Sequence, residues 1–194
     1  MKRQIATILN EASYGTLALC DGAKPYNVVL NFVLTDGVLY FHGSLTGRKM
    51  HILSQNLFAS FSVVVPYALI PSYFSSDTGL ACPATHFFES VLIEGEVVVV
   101  TEPHEKQYAL SALMAKLQPE GGYKALKNEV YKKVIAKTAV FKLIPHHSSV
   151  KSKLGQKLPK ERFEMIIENL QQRADPLDLK TVEKMREARH DVGI

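Results

Sequence analysis

Residues 16–49 read TLALCDGAKPYNVVLNFVLTDGVLYFHGSLTGRK, and the fold turns on this stretch. Residues 16–20 have the look of a strand, and Asp21-Gly22 supplies a turn. Residues 26–34 form a β-branched run that reads as a second strand. Asp36-Gly37 is a hairpin turn between that run and a third strand over residues 38–42. Three strands and two Asp-Gly turns predict an antiparallel meander. The pattern then breaks at residues 43–47, and Met50, Leu53 and Leu57 take up a short helical spacing.

The texture continues on both sides. Before the stretch, Ile5, Ile8, Leu9 and Ala12 mark one face of a short helix. After it, residues 58–65 predict a strand and residues 66–86, with three prolines and several serines, an irregular excursion. Residues 90–100 predict a strong strand with Gly95 as a bulge or point of close approach. A helix follows, striped by Leu110, Leu113, Met114 and Leu117, with Glu102 and Glu105 suited to its positive end. Residues 138–144 form a last strand. The tail is helical: Phe163, Ile166, Ile167 and Leu170 share a face behind Pro159, and Asp178 caps a final helix carrying Leu179, Val182 and Met185. Six short strands with peripheral helices predict a mainly β protein, an antiparallel barrel with helices outside it.

Bulk composition narrows the classes. At 194 residues, 46% hydrophobic and 22% charged, the chain suits one globular domain with modest additions. The net charge of +4 is too small to argue for nucleic acid. The first hundred residues hold only five Lys or Arg against seven Asp or Glu, so adjacent Arg48 and Lys49 call for a local reason. Cys20 and Cys82 show neither disulfide nor zinc spacing, and no metal site is expected. The apolar segment 58–70 is interrupted and too short to span a bilayer, and the N-terminus lacks a signal-peptide core. The expectation is a cytoplasmic protein without membrane contact.

Residues 40–49, YFHGSLTGRK, run from a strand end through a glycine-containing turn into a helix. Gly43 and Gly47 let backbone N–H groups approach an anion. Ser44 and Thr46 offer hydroxyls, Arg48 a bidentate fork and Lys49 a point charge, with a helix N-terminus behind them. Walker A spacing is absent. Taken alone, the stretch reads either as a phosphate cradle or as a polar loop with two solvated cations.

A resemblance bears on that choice. Residues 40–49 resemble the strand-end phosphate site of the pyridoxamine 5′-phosphate oxidase-like split barrels, and more closely their nitroimidazole-reductase-like branch. The likeness extends to residues 25–32, to Cys82 with residues 88–91 and Gly95, to Glu105-Lys106 and Ala109-Leu110, and to the segment KSKLGQ at 151–156. In matching order these blocks cover residues 5–160. The resemblance implies a six-stranded split β-barrel over residues 1–150 that binds FMN, with a helical extension over residues 151–194. It implies that Ser44, Gly47, Arg48 and Lys49 hold the FMN phosphate, and that His42 and Gly43 line its ribityl side. Val28, Val29 and Asn31 would lie along the flavin ring, with Ser62 nearby. Ser90, Lys153 and Gln156 would approach from the second subunit of a homodimer. This chain departs from the family pattern at Gly47, Phe88 and Lys157, where Ser, Tyr and Asn are usual.

The implied chemistry is electron transfer from NAD(P)H through FMN to a small acceptor such as a nitroaromatic. Two alternatives stand beside it: a flavin-binding sensor or regulator without turnover, and a haem-binding barrel using His146 or His147. The bare residues read more plainly: His146-His147 as a polar turn, Cys82 as packed or partly buried, and Tyr14, Tyr26 and Phe32 as core aromatics. The lysines at 124, 127, 132, 133 and 137 read as a solvated helix face. No nucleic-acid platform is expected.

Overall fold

The computed structural model describes residues 2–191. Its order is α1 (Lys2–Glu11), β1 (Gly15–Asp21), β2 (Lys24–Leu30), β3 (Val33–Thr35), β4 (Val38–Gly43), α2 (Arg48–Leu53), β5 (Phe58–Ile70), β6 (Thr85–Val100), α3 (Pro103–Leu117), α4 (Lys132–Lys137), β7 (Ala139–Lys153), α5 (Lys160–Arg173) and α6 (Pro176–Asp191). Among the described residues seven strands, rather than six, form one sheet in the order β2-β1-β5-β6-β7-β4-β3. The pairings of β1 with β2 and β5, and of β4 with β3 and β7, are antiparallel. With helices at its periphery, the sheet is a split barrel.

The predicted meander is corrected. Two hairpins form, β1–β2 and β3–β4, but they occupy opposite edges of the sheet. The β-branched run 26–34 breaks at Asn31 and Phe32. Phe32 is fully buried, meets Phe61 edge-on at 4.9 Å, and lies under the Lys116 ammonium at 3.7 Å. Asn31 donates to the Ser13 carbonyl at 3.3 Å. The core contact wins over strand continuity, and the chain leaves one hairpin for the other. Asp36 and Gly37, with φ of 51° and 77°, make the second turn as expected for a tight hairpin.

Three strands are longer than the sequence suggests. β5 passes through Pro66 to Ile70, because the in-out alternation persists: Val65 and Tyr67 are buried and Pro66 faces out. Pro66 also lies beyond Ser62, the last β5 residue paired with β1, so its missing N–H costs that ladder nothing. The irregular excursion shrinks to residues 71–84, since β6 begins at Thr85. β7 continues through His146 and His147, which are strand residues with exposed side chains rather than a turn.

The chain divides into two compact units. The first comprises the chain up to Val63 with Val91–Ser149; the second, Val64–Ser90 with the chain from Val150. In the first, Val33, Tyr40, Val100, Ala109, Leu113 and Val140 form a buried cluster under α3. Leu110 is half-buried, while Leu117, read as part of the stripe, is exposed in the last turn. Glu105 has a larger task than dipole compensation: it accepts from the Tyr40 hydroxyl at 2.9 Å and from Lys142 at 2.7 Å. Burial and this acidic neighbour push the Tyr40 phenol up to about 12. Lys116 ties α3 to α1 by donating to the Leu9 carbonyl at 2.8 Å, and burial lowers its ammonium to about 8.

Gly95 is the point of close approach. A Cβ there would collide with the Ile144 carbonyl oxygen, a backbone atom that cannot swing aside. Gly95→Ala is therefore expected to destabilise the protein by about 1–3 kcal/mol through overpacking, read from the urea unfolding midpoint. An unchanged midpoint would show that the two strands separate freely.

In the second unit, α5 buries Phe163, Ile166, Ile167 and Leu170 as its spacing predicts, and packs on α6. Asp178 stands inside α6, not at its cap. From the first turn its carboxylate accepts from the Asp175 N–H at 3.2 Å and from Arg173 at 2.6 and 2.5 Å. Val182 and Met185 are buried, whereas Leu179 is exposed. Among the described residues, no helix is long and apolar enough to cross a membrane.

Candidate functional site

The site grows from the end of β4. Its register against β7 sets His42 opposite Val140 and Gly43 opposite Ala139, which places the following turn at the end of the sheet. Ser44, Leu45, Thr46, Gly47 and Arg48 are all exposed. The turn is held from within: the Thr46 N–H donates to Ser44 Oγ at 3.0 Å, and the two hydroxyls lie 2.9 Å apart. Gly47 has φ 94°, a conformation open to glycine and costly for serine. Backbone geometry therefore accounts for the missing hydroxyl at this position. Gly47 precedes α2, and among the described residues no side chain caps that helix.

Lys49 is the unusual member. Its Nζ stands 4.1 Å from the Phe141 ring centroid and 5.8 Å from that of Phe41, two rings stacked at 5.3 Å. A Cβ on Gly43 would collide with Nζ, so glycine is what lets the ammonium lie against the strand end. Among the described residues Lys49 has neither a carboxylate partner nor a hydrogen-bond acceptor. Half-buried and uncompensated, its ammonium is pushed below the ordinary lysine value by desolvation. An anion brought to this point would supply the missing partner.

Arg48 is placed differently. Its guanidinium bonds Asp21 Oδ2 through Nε at 3.1 Å, with Nη2 of Arg48 also 3.1 Å from that oxygen. It lies 4.7 Å over the Tyr26 ring. The β1–β2 hairpin thus holds the arginine of the β4–α2 turn, consistent with the packing of α2 on β1. Sequence reading missed Asp21, which it took for a turn residue, and placed Tyr26 in the core. The partners are 27 residues apart, and the packing of α2 on β1 brings them together.

The other expected residues are spread along neighbouring elements. Val28 is half-buried and Val29 exposed on the edge strand β2, with Val29 opposite Thr16. Thr16 is also opposite Ser62 of β5, so β1 carries Val29 and Ser62 on its two flanks. His42 is exposed at the end of β4. Ser90, Lys153 and Gln156 belong to the second unit. There Lys153 bonds Thr85 Oγ1, and the Gln156 amide closes its own turn, accepting from the Leu154 N–H at 3.0 Å and donating to the Ser152 carbonyl at 2.9 Å.

Two of the grooves among the described residues lie outside the turn. One of about 500 Å³ is lined by Cys20, Phe58, Glu94, Gly95, His146 and His147, with the His146 ring edge-on to Phe58 at 6.0 Å. The other, of about 420 Å³ in the second unit, is lined by Ser75, Cys82, Arg162 and Met165. Cys82 is exposed there, not packed. Of the five lysines assigned to one helix face, 132, 133 and 137 are exposed on α4, while 124 and 127 precede it in an irregular segment.

An antiparallel split barrel with a cationic glycine-serine turn at a strand end is a recognisable class. A sequence profile of pyridoxamine 5′-phosphate oxidase matches residues 1–152, and the chain belongs to that family. Solved structures share the fold. One is a candidate 5-nitroimidazole antibiotic resistance protein from Bacteroides thetaiotaomicron, with TM-score 0.64 and 19% identity over 77% of this chain and 82% of that one. The flavocytochrome Anf3 from Azotobacter vinelandii has TM-score 0.66 and 21% identity over 79% of this chain and 67% of its own. An FAD- and haem-binding protein from Mycobacterium smegmatis has TM-score 0.62 and 18% identity over 79% and 71%. At these identities the likeness is one of fold. No curated protein sequence matches the chain.

Proposed function

We propose that this chain binds FMN and passes electrons from NAD(P)H to a small acceptor such as a nitroaromatic, as a homodimer with the flavin at the subunit interface. The observation that carries the reading is Lys49: a half-buried ammonium without a counter-charge among the described residues, beside a glycine that leaves room for it. Ser44 and Thr46 add hydroxyls, and Arg48 adds the guanidinium edge that Asp21 leaves open. Together they suit a terminal phosphate. Val28, Val29, Asn31 and Ser62 offer apolar surface and backbone groups for a ring, with His42 and Gly43 nearer the phosphate. Ser90, Lys153 and Gln156 are assigned to the partner's flavin. When bound, FMN supplies the redox chemistry, while the protein supplies binding, orientation and electrostatics. The family match and the flavin-binding proteins among the similar structures support this reading.

The test is the visible spectrum of the purified or FMN-reconstituted protein, before and after anaerobic NADPH. Flavin absorbance that bleaches is the expected result. Flavin absorbance that persists with every nicotinamide donor would make the protein a binding module without turnover, and failure to bind FMN would overturn the proposal. A second reading, haem binding, is favoured by the groove that His146 and His147 line beside Phe58. A Soret band that shifts on replacing either histidine would establish it.

A further inference from the structure

Among the described residues, Arg48 is the phosphate-directed cation of the turn that arrives already paired. Asp21 Oδ2 takes up its Nε and faces Nη2 at 3.1 Å, while Tyr26 covers one face of the guanidinium. The pair is only partly shielded, with the arginine side chain 50% exposed and the aspartate 30%. Such an ion pair stabilises the fold little. Its larger effect is on the charge the turn presents. Arg48 and Lys49 together carry two positive charges, but one is offset by Asp21. Among the described residues the uncompensated charge is that of Lys49, and any anion seated against the open edge of Arg48 also meets the carboxylate of Asp21.

We infer that Asp21 is a specificity-determining residue, a counter-charge that limits the preference of the turn for doubly charged phosphate monoesters over singly charged phosphate diesters. This rests on the reading of the turn as a flavin-phosphate cradle. Repulsion between Asp21 and a bound phosphate scales with phosphate charge. A terminal phosphate, as in FMN, feels it about twice as strongly as either phosphate of the diphosphate bridge in FAD. Riboflavin, which has no phosphate, does not feel it. Tyr26 continues to cover the guanidinium when the carboxylate is replaced, so Arg48 keeps a neighbour that orients it.

The experiment is a fluorescence titration of wild type, Asp21→Asn and Arg48→Ala with FMN, FAD and riboflavin, with circular dichroism confirming the fold of each. Asp21→Asn is expected to tighten FMN roughly three- to tenfold, FAD by less, and riboflavin not at all. The FMN gain should shrink as salt is raised. An equal change for all three ligands, or weaker FMN binding with riboflavin unchanged, would overturn the inference and leave Asp21 as a support for Arg48. If Arg48→Ala binds FMN as wild type does, the cradle reading of Arg48 fails as well. If no ligand binds wild type, both fail.

Discussion

Lys49→Met is expected to weaken FMN binding by roughly thirtyfold while leaving riboflavin affinity nearly unchanged. The substitution removes one charge-assisted hydrogen bond, worth about 1.5–3 kcal/mol. The substitution separates site from fold. The Lys49 ammonium is costly to bury, as its lowered pKa records, so an apolar side chain of similar length over Phe141 should leave the thermal midpoint unchanged or higher near neutral pH. A pH profile gives a second reading of the same residue. Only the ammonium attracts phosphate, and a bound phosphate favours the ammonium. Affinity is therefore full below the lowered lysine value and falls as pH rises through it. Lys49→Met should abolish that alkaline limb. Equal FMN affinity in wild type and variant would remove Lys49 from the site.

The largest loss of stability is expected from Asp178→Ala, about 3 kcal/mol. The Asp178 side chain is 2% exposed and accepts both Arg173 contacts and the Asp175 N–H. Arg173 in turn donates to the Leu69 carbonyl at 3.1 Å and lies 4.9 Å over the Phe74 ring. Removing one partner leaves the other charge poorly satisfied, which costs more than the pair contributes. The hydrogen bonds from Arg173, foremost, hold the carboxyl of Asp178 below the usual aspartate value. The sign follows. This stability is fully present above the ordinary aspartate pKa and is lost as pH falls through the lowered folded-state value. Wild type should therefore show a larger acid-dependent loss in thermal midpoint than Asp178→Ala. A variant within about 0.5 kcal/mol of wild type would show that Arg173 finds other partners.

Helical faces were the most legible part of this chain. The spacing of Phe163, Ile166, Ile167 and Leu170 is enough to bury one side of α5, because a 3.6-residue period depends on local geometry alone. Strand ends were less so. Pro66 and the pair His146-His147 look like punctuation, yet both lie in strands whose other positions supply the pairing. The break at Asn31 and Phe32 was hidden inside a β-branched run, since only the packing of Phe32 against Phe61 and Lys116 reveals it. The same division holds at the site. Glycines, hydroxyls and adjacent cations announce the turn, but the different states of Arg48 and Lys49 come from Asp21 and Phe141, which lie far away in sequence.

The sheet order also bears on synthesis. Each hairpin is local and can close within about 1–10 μs of its residues becoming available. β4, however, takes its second neighbour from β7, with Leu39 opposite Leu143. On a ribosome adding about 5–20 residues each second, the nascent chain waits several seconds between completing β4 and acquiring that partner. Throughout this interval β4 presents an open edge able to pair with another chain. Cells making this protein in quantity would thus gain most from a chaperone that engages the chain before residue 139 emerges.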